Sequence, residues 1–174
     1  MKPVTSQSGF SLIEALIALL IIAVGLLGIA GMQALGLNAT STARVRALAA
    51  LEASNMAAYI ASNTSYWSSP VSVTVTPGSP VTISNATLAS AGTNCMGNAC
   101  SPLEIAAFDL YQWGANTQLG SLPGGVGNVT CGQAGGATAV GCTVTVGWRE
   151  QQLASNGTGA MAPSMTYYRM VVQP

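Results

Sequence analysis

A carboxylate stands at the N-terminal edge of a membrane-length apolar run, and few chain architectures have a use for it there. The segment Gly9-Phe10-Ser11-Leu12-Ile13-Glu14 joins a short polar leader to that run. From Ala15 to Met32 no polar side chain occurs, which as a helix spans about 27 Å. That length crosses most of a bilayer's hydrocarbon core. An ionisable group at the edge of such a segment is costly, so its presence calls for a partner and a role.

Three readings compete for this segment. In a secretory signal, Lys2 would supply the n-region, Leu12 to Leu27 the h-region and Gly28-Ile29-Ala30 the cleavage site. An uncleaved N-terminal anchor is the second. Both account for the hydrophobicity, and neither uses Glu14. The third rests on Gly9-Phe10-Ser11-Leu12-Ile13-Glu14-Ala15-Leu16, which closely resembles the processing site of type IV prepilins and type II secretion pseudopilins. The resemblance implies that a prepilin peptidase cuts between Gly9 and Phe10 and N-methylates Phe10, while the apolar helix is retained. It further implies that Glu14 pairs with the N-terminal amine of a neighbouring subunit and so sets axial register. Pairing with the amine of its own Phe10 is the intramolecular alternative. Opposite charges attract far more strongly in a low dielectric than in water, and an unpaired charge there is heavily penalised.

Composition narrows the function classes. Charged residues are 6% of the chain, against about 25% in an ordinary soluble domain. Without the leader the cations are Arg44, Arg46, Arg149 and Arg169, and the anions are Glu14, Glu52, Glu104, Asp109 and Glu150. Such a chain lacks the basic footprint that phosphate backbones require, so no direct nucleic-acid partner is expected. There is no His, and the one Lys, Lys2, departs with the leader. Ser–His, Cys–His and Ser–Lys nucleophile pairs are then unavailable to the mature chain. No phosphate-binding loop or metal-ligand spacing occurs, so catalytic, cofactor and metal residues are all assigned as none. Cys95, Cys100, Cys131 and Cys142 form an even set in an exported chain, which argues for disulfides. Of the three connectivities, the local pairs Cys95–Cys100 and Cys131–Cys142 are favoured.

The chain divides into a leader at 1–9, an N-terminal helix at 10–62 and a head at 63–174. The helix has a membrane-spanning or filament-core half at 10–37 and an amphipathic half at 38–62. In the latter, Val45, Leu48, Ala49, Ala53, Met56 and Ile60 share a face suited to packing on a sheet. Glu52 interrupts that face, and an edge position or a salt bridge to an arginine is expected for it. Val71 to Thr76 alternates as a half-buried strand, with Val81 to Ser84 a second strand across the turn at Thr76-Pro77-Gly78. Ser101-Pro102-Leu103-Glu104 is a capping box with Pro at the first helical position. Leu103, Ala106, Ala107, Leu110 and Trp113 follow at helical spacing as core. Leu122-Pro123-Gly124-Gly125 makes a turn, and strands are expected at Val126 to Cys131, Cys142 to Trp148 and Tyr167 to Val172. The expected fold is therefore α+β, a long N-terminal helix packed on an antiparallel sheet head, in the order of the type IV pilin fold.

The resemblance narrows further. Phe10 to Gln33, with Ala23-Val24-Gly25-Leu26-Leu27-Gly28, is similar to minor pilins of the PilV type, the type IV pilus modification proteins. Cys100-Ser101-Pro102, Asp109-Leu110 with Trp113, Leu122 to Gly125, and Val144-Thr145-Val146 with Trp148 add scattered similarity in the same order. The stretch Glu52 to Asn63 departs from that pattern by lacking charged residues. The resemblance implies a low-abundance subunit that primes pilus assembly near the tip and supports adhesion, motility or DNA uptake. Its implied partners are the prepilin peptidase, other minor pilins, the major pilin and the inner-membrane assembly platform. The implied location is the bacterial inner membrane with a periplasmic head, then the extracellular pilus. A minor pseudopilin of a type II secretion system is the alternative, as is a head acting directly as an adhesin. Exposure of Tyr66-Trp67 or Tyr167-Tyr168 would favour the adhesin.

Overall fold

The computed structural model describes residues 11–92, 94–115, 117–133, 140–150 and 163–174. Helix α1 runs Leu12–Ser62, followed by α2 at Thr64–Trp67, strand β1 at Val71–Thr76 and strand β2 at Thr82–Ile83. Helices α3 (Ala86–Ser90) and α4 (Pro102–Trp113) come next, then strands β3 (Val126–Gln133), β4 (Val140–Glu150) and β5 (Ser164–Val172). The strands form one antiparallel sheet in the order β2-β1-β3-β4-β5. This is the α+β class expected from the sequence, with a long N-terminal helix and an antiparallel sheet. The chain divides into two compact units, Met1–Thr42 and Ala43–Pro174, so the boundary falls inside α1.

In the second unit the core follows the two sequence periodicities. Ala49, Ala53, Met56 and Ile60 recur at helical spacing along α1 and are fully buried, with Val45 and Leu48 packed against them. Val73 and Val75 of β1, Val129 and Cys131 of β3, and Cys142, Val144 and Val146 of β4 supply the alternating inward residues of the sheet. Helix α4 starts at the expected capping box, with the Glu104 Oε2 accepting from the Ser101 amide at 2.7 Å. It buries Ala106, Ala107, Leu110 and Trp113.

One expectation fails. Glu52 is 4% exposed, so it is not an edge residue, and no arginine reaches it. Among the described residues its carboxylate receives the Asn55 Nδ2 at 3.4 Å, and burial raises its pKa. The ion pair present among the described residues joins Arg46 of α1 to Glu150 at the end of β4. It is two-pronged, with Nη2 to Oε1 at 2.7 Å and Nε to Oε2 at 3.3 Å. Glu150 is buried, which makes the paired guanidinium the natural counter-charge for it there. The hydrogen bond and charge of Glu150 push the Arg46 pKa up.

Glycine is required where the loops close on the core. Gly124 has φ of 59°, the left-handed conformation that the turn after Pro123 needs. A Cβ on Gly127 would run into the ring of Trp113 and come within 2.7 Å of Leu119 Cδ1. Strand β3 can therefore pass beneath the indole only without a side chain there.

Candidate assembly segment

The first unit is defined by the apolar part of α1. Ala15 onward is a run of good helix formers and branched aliphatics with glycines at 25, 28, 31 and 36, and it is helical throughout. Apart from the helix's own backbone, no described atom lies within 4 Å of a Cβ built at any of these four glycines. The helix contains an 18-residue window long and apolar enough to cross a membrane, and none of that window is buried within the chain. Leu16, Leu20 and Leu27 are 59%, 65% and 74% exposed. A stripe would suffice for packing on a head; a helix apolar all round requires a membrane or other helices.

Glu14 lies in the first turn of α1. The Glu14 amide donates to the Ser11 carbonyl at 3.0 Å and the Ala15 amide to the same oxygen at 3.3 Å, which closes the start of the helix. The Glu14 side chain is exposed, and no described basic group pairs with it. A carboxylate in the first turn complements the positive end of the helix dipole. Gly9 and Phe10, the two residues of the expected cut, lie outside the described residues.

The cysteines are joined as Cys95–Cys100, with Cα atoms 5.9 Å apart, and Cys131–Cys142, with Cα atoms 4.0 Å apart. The second bridge links directly opposed residues of β3 and β4. Among the described residues no three His, Cys, Asp or Glu side chains converge as metal ligands. The two aromatic pairs differ in placement. Trp67 is fully buried in the core with Tyr66 packed beside it, edge to face at 5.1 Å. Tyr167 and Tyr168 on β5 are exposed.

Residues 5–30 match the family model described as the prokaryotic N-terminal methylation motif. Neither curated proteins nor solved structures give a match to the chain. The motif supports a type IV pilin-type or pseudopilin-type protein, and the long helix with its five-stranded antiparallel sheet is a pilin-like architecture consistent with that fold. It implies processing by a prepilin peptidase and assembly with other pilins. It points to a structural subunit rather than to an enzyme. Together with the apolar helix it is consistent with membrane anchoring and incorporation into a pilus.

Proposed function

We propose that this chain is a minor pilin of a type IV pilus, of the PilV type, which helps prime assembly near the pilus tip and supports adhesion, motility or DNA uptake. Residues 1–9 are the leader, removed by cleavage between Gly9 and Phe10 with N-methylation of the new terminus. Residues 10–62 form the helix, anchoring the subunit in the inner membrane and later in the filament core, and 63–174 form the head. Glu14 meets the N-terminal amine of a neighbouring subunit. Because it keeps that carboxylate, the subunit expects a neighbour's terminus to pair with, and so lies near the tip without being its last member. The remaining partners are the other minor pilins, the major pilin and the assembly platform of the inner membrane.

One observation carries this reading. An apolar helix with no buried side chain in its membrane-length window bears a single exposed carboxylate at its start, within a matched methylation motif. Helices of that kind gain most when other copies cover them, and the carboxylate gains when an amine does.

Deleting the gene should reduce surface piliation and leave the secreted protein profile intact. Loss of secretion with normal piliation would instead assign the chain to a type II secretion system. In sheared pili, mass spectrometry should find the chain beginning at N-methylated Phe10. A chain still beginning at Met1 in that fraction overturns the processing step.

A further inference from the structure

Among the described residues no strand pairs with the long outer edge of β5, and the chemistry of that edge specifies what fits. Cys131 and Cys142 are directly opposed with Cα atoms 4.0 Å apart. That spacing marks a non-hydrogen-bonded antiparallel pair, whose Cα separation is about 4.5 Å rather than about 5.5 Å. The main-chain groups of Cys142 therefore turn away from β3 and toward β5, where its partner is Val172. Following the unbroken register, Val172, Met170, Tyr168 and Thr166 bond to β4. Val171, Arg169, Tyr167 and Met165 direct their N–H and C=O groups outward, where no described strand lies.

The side chains of these four residues are also exposed. Val171 is 73% exposed and Tyr167 55%. Gly147, opposite Tyr167, leaves room for that ring to lie on the sheet: a Cβ there would be 2.9 Å from Tyr167 Cε1. Arg169 makes no ion pair among the described residues, and neither does Arg149, whose strand position opposite Met165 puts it on the same face. Ser164–Val172 contains no proline, no lysine and no bulge in its register, and Arg169 is its one charged residue. By contrast the opposite edge, β2, is two residues long.

We propose that the edge of β5 receives an extended strand of a partner polypeptide, apolar opposite Tyr167 and Val171 and carrying a carboxylate opposite Arg169. Only an extended backbone matches a two-residue repeat of outward N–H and C=O groups, and the apolar–x–acidic–x–apolar pattern follows from the side chains flanking that repeat. The proposal rests on the sheet alone and stands or falls separately from the filament reading.

The test uses the full chain in detergent micelles and a seven-residue peptide with glutamate at its centre, valine two positions to either side and threonine elsewhere. In the free chain the amides of Tyr167, Arg169 and Val171 should exchange fast, while those of Tyr168, Met170 and Val172 are protected. At a peptide concentration ten times its Kd, the three fast amides should slow about tenfold. Replacing the central glutamate by lysine should weaken binding about threefold to tenfold. Val171→Pro, which removes an outward N–H and none of the β4 ladder, should abolish capture, whereas Val171→Thr should keep it. N-methylating the central glutamate should also abolish capture and leaves the protein untouched. Unchanged exchange in β5, or capture indifferent to Val171→Pro and to peptide methylation, overturns the proposal. A concentration-dependent dimer that Val171→Pro abolishes also overturns it, by assigning the edge to a second copy.

Discussion

The indole Nε1–H of Trp113 donates to the main-chain carbonyl of Glu52 at 3.0 Å, a buried bond between residues 61 apart in sequence. It fastens α4 to the middle of α1's buried half. The indole ring also covers Gly127 of β3, so a single side chain is in contact with helix and sheet together. Trp113→Phe keeps most of the apolar surface and leaves the Glu52 carbonyl to its helical partner. The expected loss is about 1–2 kcal/mol of stability, against about 3–5 kcal/mol for Trp113→Ala. Denaturant unfolding of the purified chain, followed by the fluorescence of the remaining tryptophans, distinguishes the two.

Two partly desolvated acids give a pH signature. Desolvation raises the pKa of Glu52, and it raises that of Asp109 from 3.8 to about 6. A carboxyl raised on folding binds its proton more tightly in the native state. Its favourable contribution is complete below the unfolded value and is lost as pH rises through the folded one. The head should therefore gain stability between pH 7 and pH 5, opposite to a domain held by carboxylate ion pairs. Asp109 is part-exposed, so its share after solvent screening is about 1–2 kcal/mol. Thermal melts across that range should show the gain, and Asp109→Asn should flatten most of it. Equal slopes for both proteins would remove Asp109 from the account.

What the sequence made legible follows from how local each signal is. The alternation in Val71 to Thr76 marks β1 to the residue, because a half-buried strand writes its period directly into side-chain type. The capping box at Ser101 marks the start of α4 equally well. Helices α2 and α3 escape notice because four or five residues cannot display a helical period. The Asn85 side chain, which accepts from the amides of Thr87 and Leu88, was the one cue to α3. Long-range relations are invisible to periodicity: Arg46 and Glu150 are 104 residues apart. Glu52 was misplaced for the same reason. Helical spacing shows that it interrupts an apolar face, but not which elements close over it.

Gly127 supplies a packing test. Alanine there must displace the Trp113 ring or the β3 backbone, an overpacking cost of about 1–3 kcal/mol. Gly132, in the same strand, has no atom within 4 Å of a built Cβ. Gly132→Ala should be neutral or slightly stabilising. Paired unfolding curves decide the matter, and equal effects at both sites would contradict the contact.

The bridges should differ in weight. Cys131–Cys142 closes a separation of 11 residues and Cys95–Cys100 one of 5. In the chain-entropy account the longer loop constrains the unfolded state more, with about 3 kcal/mol typical of a loop near fifteen residues. Its half-cystine at Cys142 is also buried within the sheet core. Replacing both cysteines of that bridge by alanine should therefore cost more stability than the same change at Cys95 and Cys100. Non-reducing peptide mapping checks the pairing first, and a fragment linking Cys95 to Cys131 would refute it.

The register role proposed for Glu14 predicts a dependence on charge rather than on size. Its side chain is exposed at the start of α1, in the unit separate from the head, so replacing it should leave unfolding of the head unchanged. Glu14→Ala and Glu14→Gln should both yield protein cleaved to Phe10 that stays in the inner membrane and is depleted from sheared pili. Glu14→Asp keeps the charge with a shorter reach and should restore part of the incorporation. The asymmetry arises because a carboxylate facing an amine in a low dielectric is favoured over a neutral amide of the same shape. Quantitative immunoblots of membrane and sheared-pilus fractions measure it. Normal recovery of Glu14→Gln in pili would show that the charge does not set register.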